Sequence, residues 1–135
     1  MTKTITQKII FKNTKPKELY DLYMDAKKHS MITGSPANIK HIAGSRFTAF
    51  GGYAWGKNLH LVKNKQIVQT WKAEDWDKSV TDSTFILNLE QRGKDTIVHM
   101  THANVPEKNA KDIEGGWHEF YWEPWKKHLE EKSKK

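Results

Sequence analysis

Five aromatic side chains crowd into nine residues near the C-terminus, in the run Gly115-Gly116-Trp117-His118-Glu119-Phe120-Tyr121-Trp122-Glu123-Pro124-Trp125. On a helix, Trp117, Tyr121 and Trp125 stand one above another at i, i+4 and i+8. So large an apolar stripe must be covered, and every upstream segment able to cover it alternates with the two-residue period of a strand. The chain therefore reads as α+β, a curved antiparallel sheet of six to seven strands wrapped around one long C-terminal helix from about Glu107 to Lys132. Pro124 falls inside that helix, where it lacks an N–H and crowds the carbonyl of Phe120, so a bend is expected there.

At 135 residues the chain has room for one core, and residues 1–135 read as a single domain. Only 36% of residues are apolar and the mean hydropathy is −0.83, so burial must be concentrated in the six Trp, four Tyr and five Phe. The absence of Cys excludes disulfides and thiolate metal sites. No apolar run approaches a membrane span or a signal-peptide core, so the expected setting is the cytoplasm, away from membranes. The net charge of +7 rests almost wholly on Lys, since Arg46 and Arg92 are the only arginines. These lysines are dispersed among strand and turn residues and not clustered with stacking aromatics, which reads as a solvated surface and not as a nucleic-acid footprint.

Residues 3–12 are rich in β-branched side chains and end at the polar Asn13-Thr14, which sets up Pro16 at the start of a helix. Leu19, Leu22, Tyr23 and Ala26 repeat at helical spacing, Gly34-Ser35-Pro36 breaks the chain, and two short helices are expected in this stretch. Further strands are predicted at Phe47–Phe50, Tyr53–Val62, Gln66–Lys72, Thr81–Gln91 and Thr96–Ala103. Their tight turns imply antiparallel pairing. Alternation puts Phe85, Leu87 and Leu89 on one face, with Val98, Met100 and His102, and with Ile67, Gln69 and Trp71. The Tyr53–Val62 pattern changes phase near Asn58-Leu59, which predicts a bulge, and Gly56 leaves a gap over which the helix or a ligand could approach. Gly115-Gly116 reads as a place for close helix-on-sheet packing.

No motif for catalysis survives inspection. His118-Glu119 would need a second His at position 122, which is Trp122, to make a zinc-protease helix. His99 and His102, three apart on a strand, point to opposite faces. Asp75, Asp77 and Glu74 around Trp76 read as loop solvation, and Gly51-Gly52 as a turn. What remains is an inward-facing set at the sheet-helix seam. Asn58, Gln69 and His102 are its polar members, while Trp71, Phe85, Leu87, Met100, Trp117 and Tyr121 supply its walls. These nine are the candidate ligand-binding residues. Each polar one could equally bond a neighbour, and each aromatic one could equally be core.

The ordered residues Gly44-Ser45-Arg46-Phe47, Phe50-Gly51-Gly52, Gly56-Lys57-Asn58, Ile67-Val68-Gln69-Thr70-Trp71-Lys72 with Trp76, Val105-Pro106, Gly116-Trp117 and Tyr121-Trp122 resemble the C-terminal-domain family of the ATPase activator of the ninety-kilodalton heat-shock chaperone. The resemblance implies a helix-grip, START-like fold similar to the birch-pollen-allergen superfamily, whose members hold small hydrophobic molecules between sheet and helix. The function expected is a non-enzymatic binding module for a small hydrophobic or aromatic molecule, with neither cofactor nor metal. The alternative is a chaperone-associated protein acting through its surface, binding weakly because the activator's separate N-terminal domain has no counterpart here. Oligomeric state is not legible.

Overall fold

The computed structural model describes residues 1–133. Strand β1 (Thr2–Phe11) is followed by helix α1 (Pro16–Met24), with Pro16 in the first turn, where its missing N–H costs nothing. Lys15 donates its N–H to Glu18 Oε2 at 2.8 Å, while Thr14 is buried and tied to the Gly93-Lys94 turn, donating to the Lys94 carbonyl at 3.1 Å and accepting from Thr96 Oγ1 at 2.6 Å. Helix α2 (Ala26–Thr33) starts at Asp25, whose carboxylate accepts the Lys28 N–H, and stops at Gly34 in the left-handed region.

Strands β2 (Arg46–Ala49), β3 (Ala54–Val62), β4 (Gln66–Ala73), β5 (Ser83–Arg92) and β6 (Asp95–Pro106) complete one six-stranded sheet in the order β1-β6-β5-β4-β3-β2, antiparallel throughout. A 3₁₀ turn, Phe50–Gly52, joins β2 to β3, with Gly51 and Gly52 at the positive φ values that the sharp turn demands. The β3–β4 register slips between Asn58 and His60, which is the bulge the alternation predicts. The inward rows are as expected: Ile67, Gln69 and Trp71, then Phe85, Leu87 and Leu89, then Val98, Met100 and His102 are all buried. The gap at Gly56, however, is not open. A Cβ there would lie 1.9 Å from the Thr70 carbonyl oxygen, so the adjacent strand occupies it.

The terminal helix comprises α3 (Glu107–Trp117), a π turn over His118–Trp122 and α4 (Glu123–Ser133). Pro124 makes its mark just upstream, where the chain widens and Glu123 donates its N–H to the His118 carbonyl five residues back. This extra residue in the turn swings Trp122 inward. Trp117, Tyr121 and Trp125 are buried as the stripe predicts, and Trp122 joins them, stacked on Trp117 at 5.8 Å and donating its indole N–H to Gln7 Oε1 at 2.6 Å. Gln7 Nε2 in turn donates to the Glu114 carbonyl, pinning the helix to β1 from both sides of the π turn. Gly115 and Gly116 do not serve close packing: an added Cβ would meet nothing within 4 Å at Gly115 and only the Phe120 ring at 3.9 Å at Gly116. None of the described helices is long and apolar enough to cross a membrane.

Candidate functional site

The inward polar residues are joined in two hydrogen-bonded chains. In the first, the Trp117 indole can only donate, so His102 Nδ1 accepts its N–H at 3.1 Å and His102 Nε2 carries the proton. That Nε2–H points to Ser83 Oγ at 2.8 Å, and the Ser83 hydroxyl donates to the Trp71 carbonyl. Burial pushes the His102 pKa down to about 3, so the ring is neutral at physiological pH.

In the second chain, the Tyr23 hydroxyl donates to Gln69 Oε1, Gln69 Nε2 donates to Asn58 Oδ1, and Asn58 Nδ2 donates to the Lys40 carbonyl, each at 2.8 Å. Beside it His29 Nδ1 donates to the Tyr23 carbonyl and Nε2 accepts the Tyr121 hydroxyl, both at 2.8 Å. Burial lowers the His29 pKa and raises those of Tyr23 and Tyr121, keeping all three neutral. Each imidazole has both nitrogens engaged, which fixes side chains of α2, the sheet and the terminal helix against one another but leaves no proton acceptor turned toward solvent.

Space opens elsewhere. A cavity of about 360 Å³ lies between the terminal helix and the β2–β3 turn, within the size range of small-molecule sites. Its sheet side is Phe50, Tyr53 and Trp71; its helix side is Asp112, Ile113, Gly116 and Trp117 from α3 with Phe120 and Tyr121 from the π turn. Phe50 is held at φ 54°, a conformation that L side chains seldom adopt, and its ring meets Phe120 edge-on at 5.3 Å and Tyr121 at 5.9 Å. Tyr53 donates to Asp75 Oδ1 at 2.7 Å, and its pKa is pushed up to about 12, first by burial, then by that bond and by the charges of Asp75, Asp112 and Glu74. The buried Trp71 indole N–H has no partner among the described residues.

Of the nine residues singled out from the sequence, Trp71, Trp117 and Tyr121 line this cavity. Asn58, Gln69 and His102 belong to the internal chains, and Phe85, Leu87 and Met100 are buried in the sheet core and do not line it. Six lining residues escaped the sequence reading. A signal for four of them was present: Asp112, Gly116 and Phe120 form one i, i+4 row, and it runs beside the row Ile113, Trp117 and Tyr121. Phe50 and Tyr53 carry no comparable pattern, since a turn brings them in.

The family model described as Activator of Hsp90 ATPase homolog 1-like protein matches residues 13–130. The chain is 30% identical over 117 residues to a Dictyostelium discoideum protein named activator of 90 kDa heat shock protein ATPase homolog, covering 86% of this chain and 30% of that one. It is 27% identical over 110 residues to the human activator homolog 1, covering 82% of this chain and 32% of the human protein. The chain thus spans about a third of the length of these relatives. Among solved structures, an HSP90 activator from Plasmodium falciparum superimposes with a TM-score of 0.85 at 22% identity, covering 93% of this chain and 95% of that one, which establishes a common fold.

Proposed function

Since this chain belongs to the Activator of Hsp90 ATPase homolog 1-like family, we propose that it is a non-enzymatic binding domain of that family which holds a small hydrophobic or aromatic molecule in the cavity between its terminal helix and the β2–β3 turn. The observation that carries this reading is the cavity itself, with six of its nine lining residues aromatic. The engagement of both nitrogens of His29 and of His102 supports a binding role over acid-base chemistry. A panel of flavonoids, fatty acids and sterols tests it. A ligand specific to the folded state raises the melting temperature by mass action and alters Trp71 and Trp117 emission. The variant Gly116→Leu, which projects a side chain into the cavity, should stay folded and lose that response. A panel that leaves emission and melting temperature unchanged overturns the reading.

A second reading is favoured by the names of the relatives, which are activators of a chaperone ATPase. Under it the protein docks weakly on a chaperone of that class, and the exposed Trp55, Leu59 and Val62 of β3 offer an apolar surface for the contact. Titration into the matching chaperone with ATP turnover followed is the test. Strong stimulation at about micromolar concentration, the range of −8 kcal/mol binding, would put this reading first.

A further inference from the structure

The chemistry of the cavity wall narrows what it can hold. Phe50, Tyr53, Trp71, Trp117, Phe120 and Tyr121 enclose it from both sides, and the single ionisable lining residue is Asp112 apart from the Tyr53 and Tyr121 phenols. Aromatic rings carry negative charge on their faces and attract cations placed over them. A plain lipid or sterol gains nothing from that property, because any apolar wall of equal area would serve.

The charges near the mouth point the same way. Asp112 is exposed and forms no ion pair within 4 Å among the described residues. Asp75, which accepts the Tyr53 hydroxyl, and Glu74 add two more negative charges on the sheet side of the same opening. In a chain of net charge +7, the charges that bear on the Tyr53 phenol at the cavity wall are these three carboxylates, a grouping opposite in sign to the chain as a whole. It raises the local concentration of cations and repels anions such as fatty-acid carboxylates.

From this juxtaposition we infer that the cavity recognises an organic cation, an alkylated ammonium with an apolar or aromatic substituent, with the ammonium over the ring faces and Asp112 as its counter-charge. The inference rests on the reading of the cavity as a ligand site and names the class of ligand. Cation–π attraction and a carboxylate act together here on a group that, fully alkylated, has no N–H left to satisfy, and that combination is the general solution for quaternary ammonium recognition.

Three probes of matched shape separate charge from size: benzyltrimethylammonium, the neutral alcohol 2-methyl-1-phenylpropan-2-ol and the anion 2,2-dimethyl-3-phenylpropanoate. Each is titrated into the full chain while Trp emission and the indole N–H resonances of Trp71 and Trp117 are followed. The cation is expected to bind about tenfold more tightly than the alcohol, which corresponds to about 1.4 kcal/mol, and the anion not at all. Asp112→Asn, an exposed change, should cut the cation's affinity about fivefold and leave the alcohol's affinity unchanged. Raising the salt from about 20 to about 300 mM should weaken only the cation. If the alcohol binds as well as the cation and Asp112→Asn changes nothing, the inference about charge fails while the ligand site stands. If cation binding leaves the Trp71 and Trp117 resonances in place, it is elsewhere and the inference fails. If no probe and no member of the hydrophobic panel binds, the ligand-site reading itself falls.

Discussion

Replacing Gly56 by Ala tests the most crowded of the glycine positions. The residue faces Phe47 on β2, and the Cβ of an alanine would stand 1.9 Å from the Thr70 carbonyl oxygen, 2.7 Å from its carbonyl carbon and 2.8 Å from Phe47 Cε1. Real Cβ contacts essentially never fall below 3.0 Å, so β3 and β4 would have to part by about 1 Å at this point. Strand spacing is fixed by hydrogen bonds at about 4.8 Å, and a displacement of that size strips bonds from the ladder. The Lys57 N–H, which donates to Thr70 Oγ1 at 2.8 Å, lies next to the intrusion. Overpacking costs about 1–3 kcal/mol and the lost hydrogen bond about 1 kcal/mol, so Gly56→Ala should destabilise the protein by about 2–4 kcal/mol. In a thermal melt this is a fall of about 10 °C or more. Gly115→Ala is the paired control. Its Cβ meets nothing within 4 Å, so the change should gain up to about 1 kcal/mol from helix propensity and raise the melting temperature. A Gly56→Ala loss below about 0.5 kcal/mol, the range of ordinary surface changes, or a Gly115→Ala loss above about 1 kcal/mol, would refute the placement of these glycines.

Trp117→Ala should cost about 3–5 kcal/mol in urea unfolding, because Trp117 is 3% exposed, stacks on Phe85 at 4.5 Å and satisfies His102; a loss below about 1 kcal/mol would place the ring in solvent. Acid should weaken the fold before its carboxylates titrate. A histidine held below its ordinary pKa binds its proton less readily when folded than when unfolded, so stability is full above about pH 6.5 and falls as the pH drops toward the folded value of about 3 for His102. Between pH 7 and 5 the His102 contribution is about 2 kcal/mol, His29 acts in the same direction, and a flat urea midpoint over that range would show that these rings are not buried neutral. Met100→Trp, by contrast, should overpack the sheet at a cost of about 1–3 kcal/mol without closing the cavity, since Met100 is buried and does not line it; calorimetry with a bound ligand would show affinity retained.

Strand alternation made the sheet legible because period-two patterning survives wherever one face is buried, and the Asn58 bulge announced itself as a change of phase. The same patterning said that Asn58, Gln69 and His102 face inward, but it could not say that they face one another. Their partners Tyr23, Lys40, Ser83 and Trp117 are brought in by other elements, and pairing across elements leaves no trace in local periodicity. His29 was silent for a related reason, since it is the lone buried residue of α2 and makes no stripe. The cavity was half visible. Its helix wall is written as two adjacent i, i+4 rows, whereas Phe50 and Tyr53 owe their position to a turn whose direction depends on Gly51 and Gly52.

The π turn has a consequence for how the terminal helix encodes its surroundings. Because His118–Trp122 carries one residue more than regular winding needs, α3 and α4 are two segments out of phase by about 100°, and no one wheel projects both. The first segment turns its Asp112 and Gly116 row toward the cavity, and the second turns Trp125 toward Phe11 of β1. The offset lets a single continuous rod address two different walls of the sheet, the aromatic one beside the β2–β3 turn and the one at the end of β1, where Lys126 and Leu129 come up against Phe11.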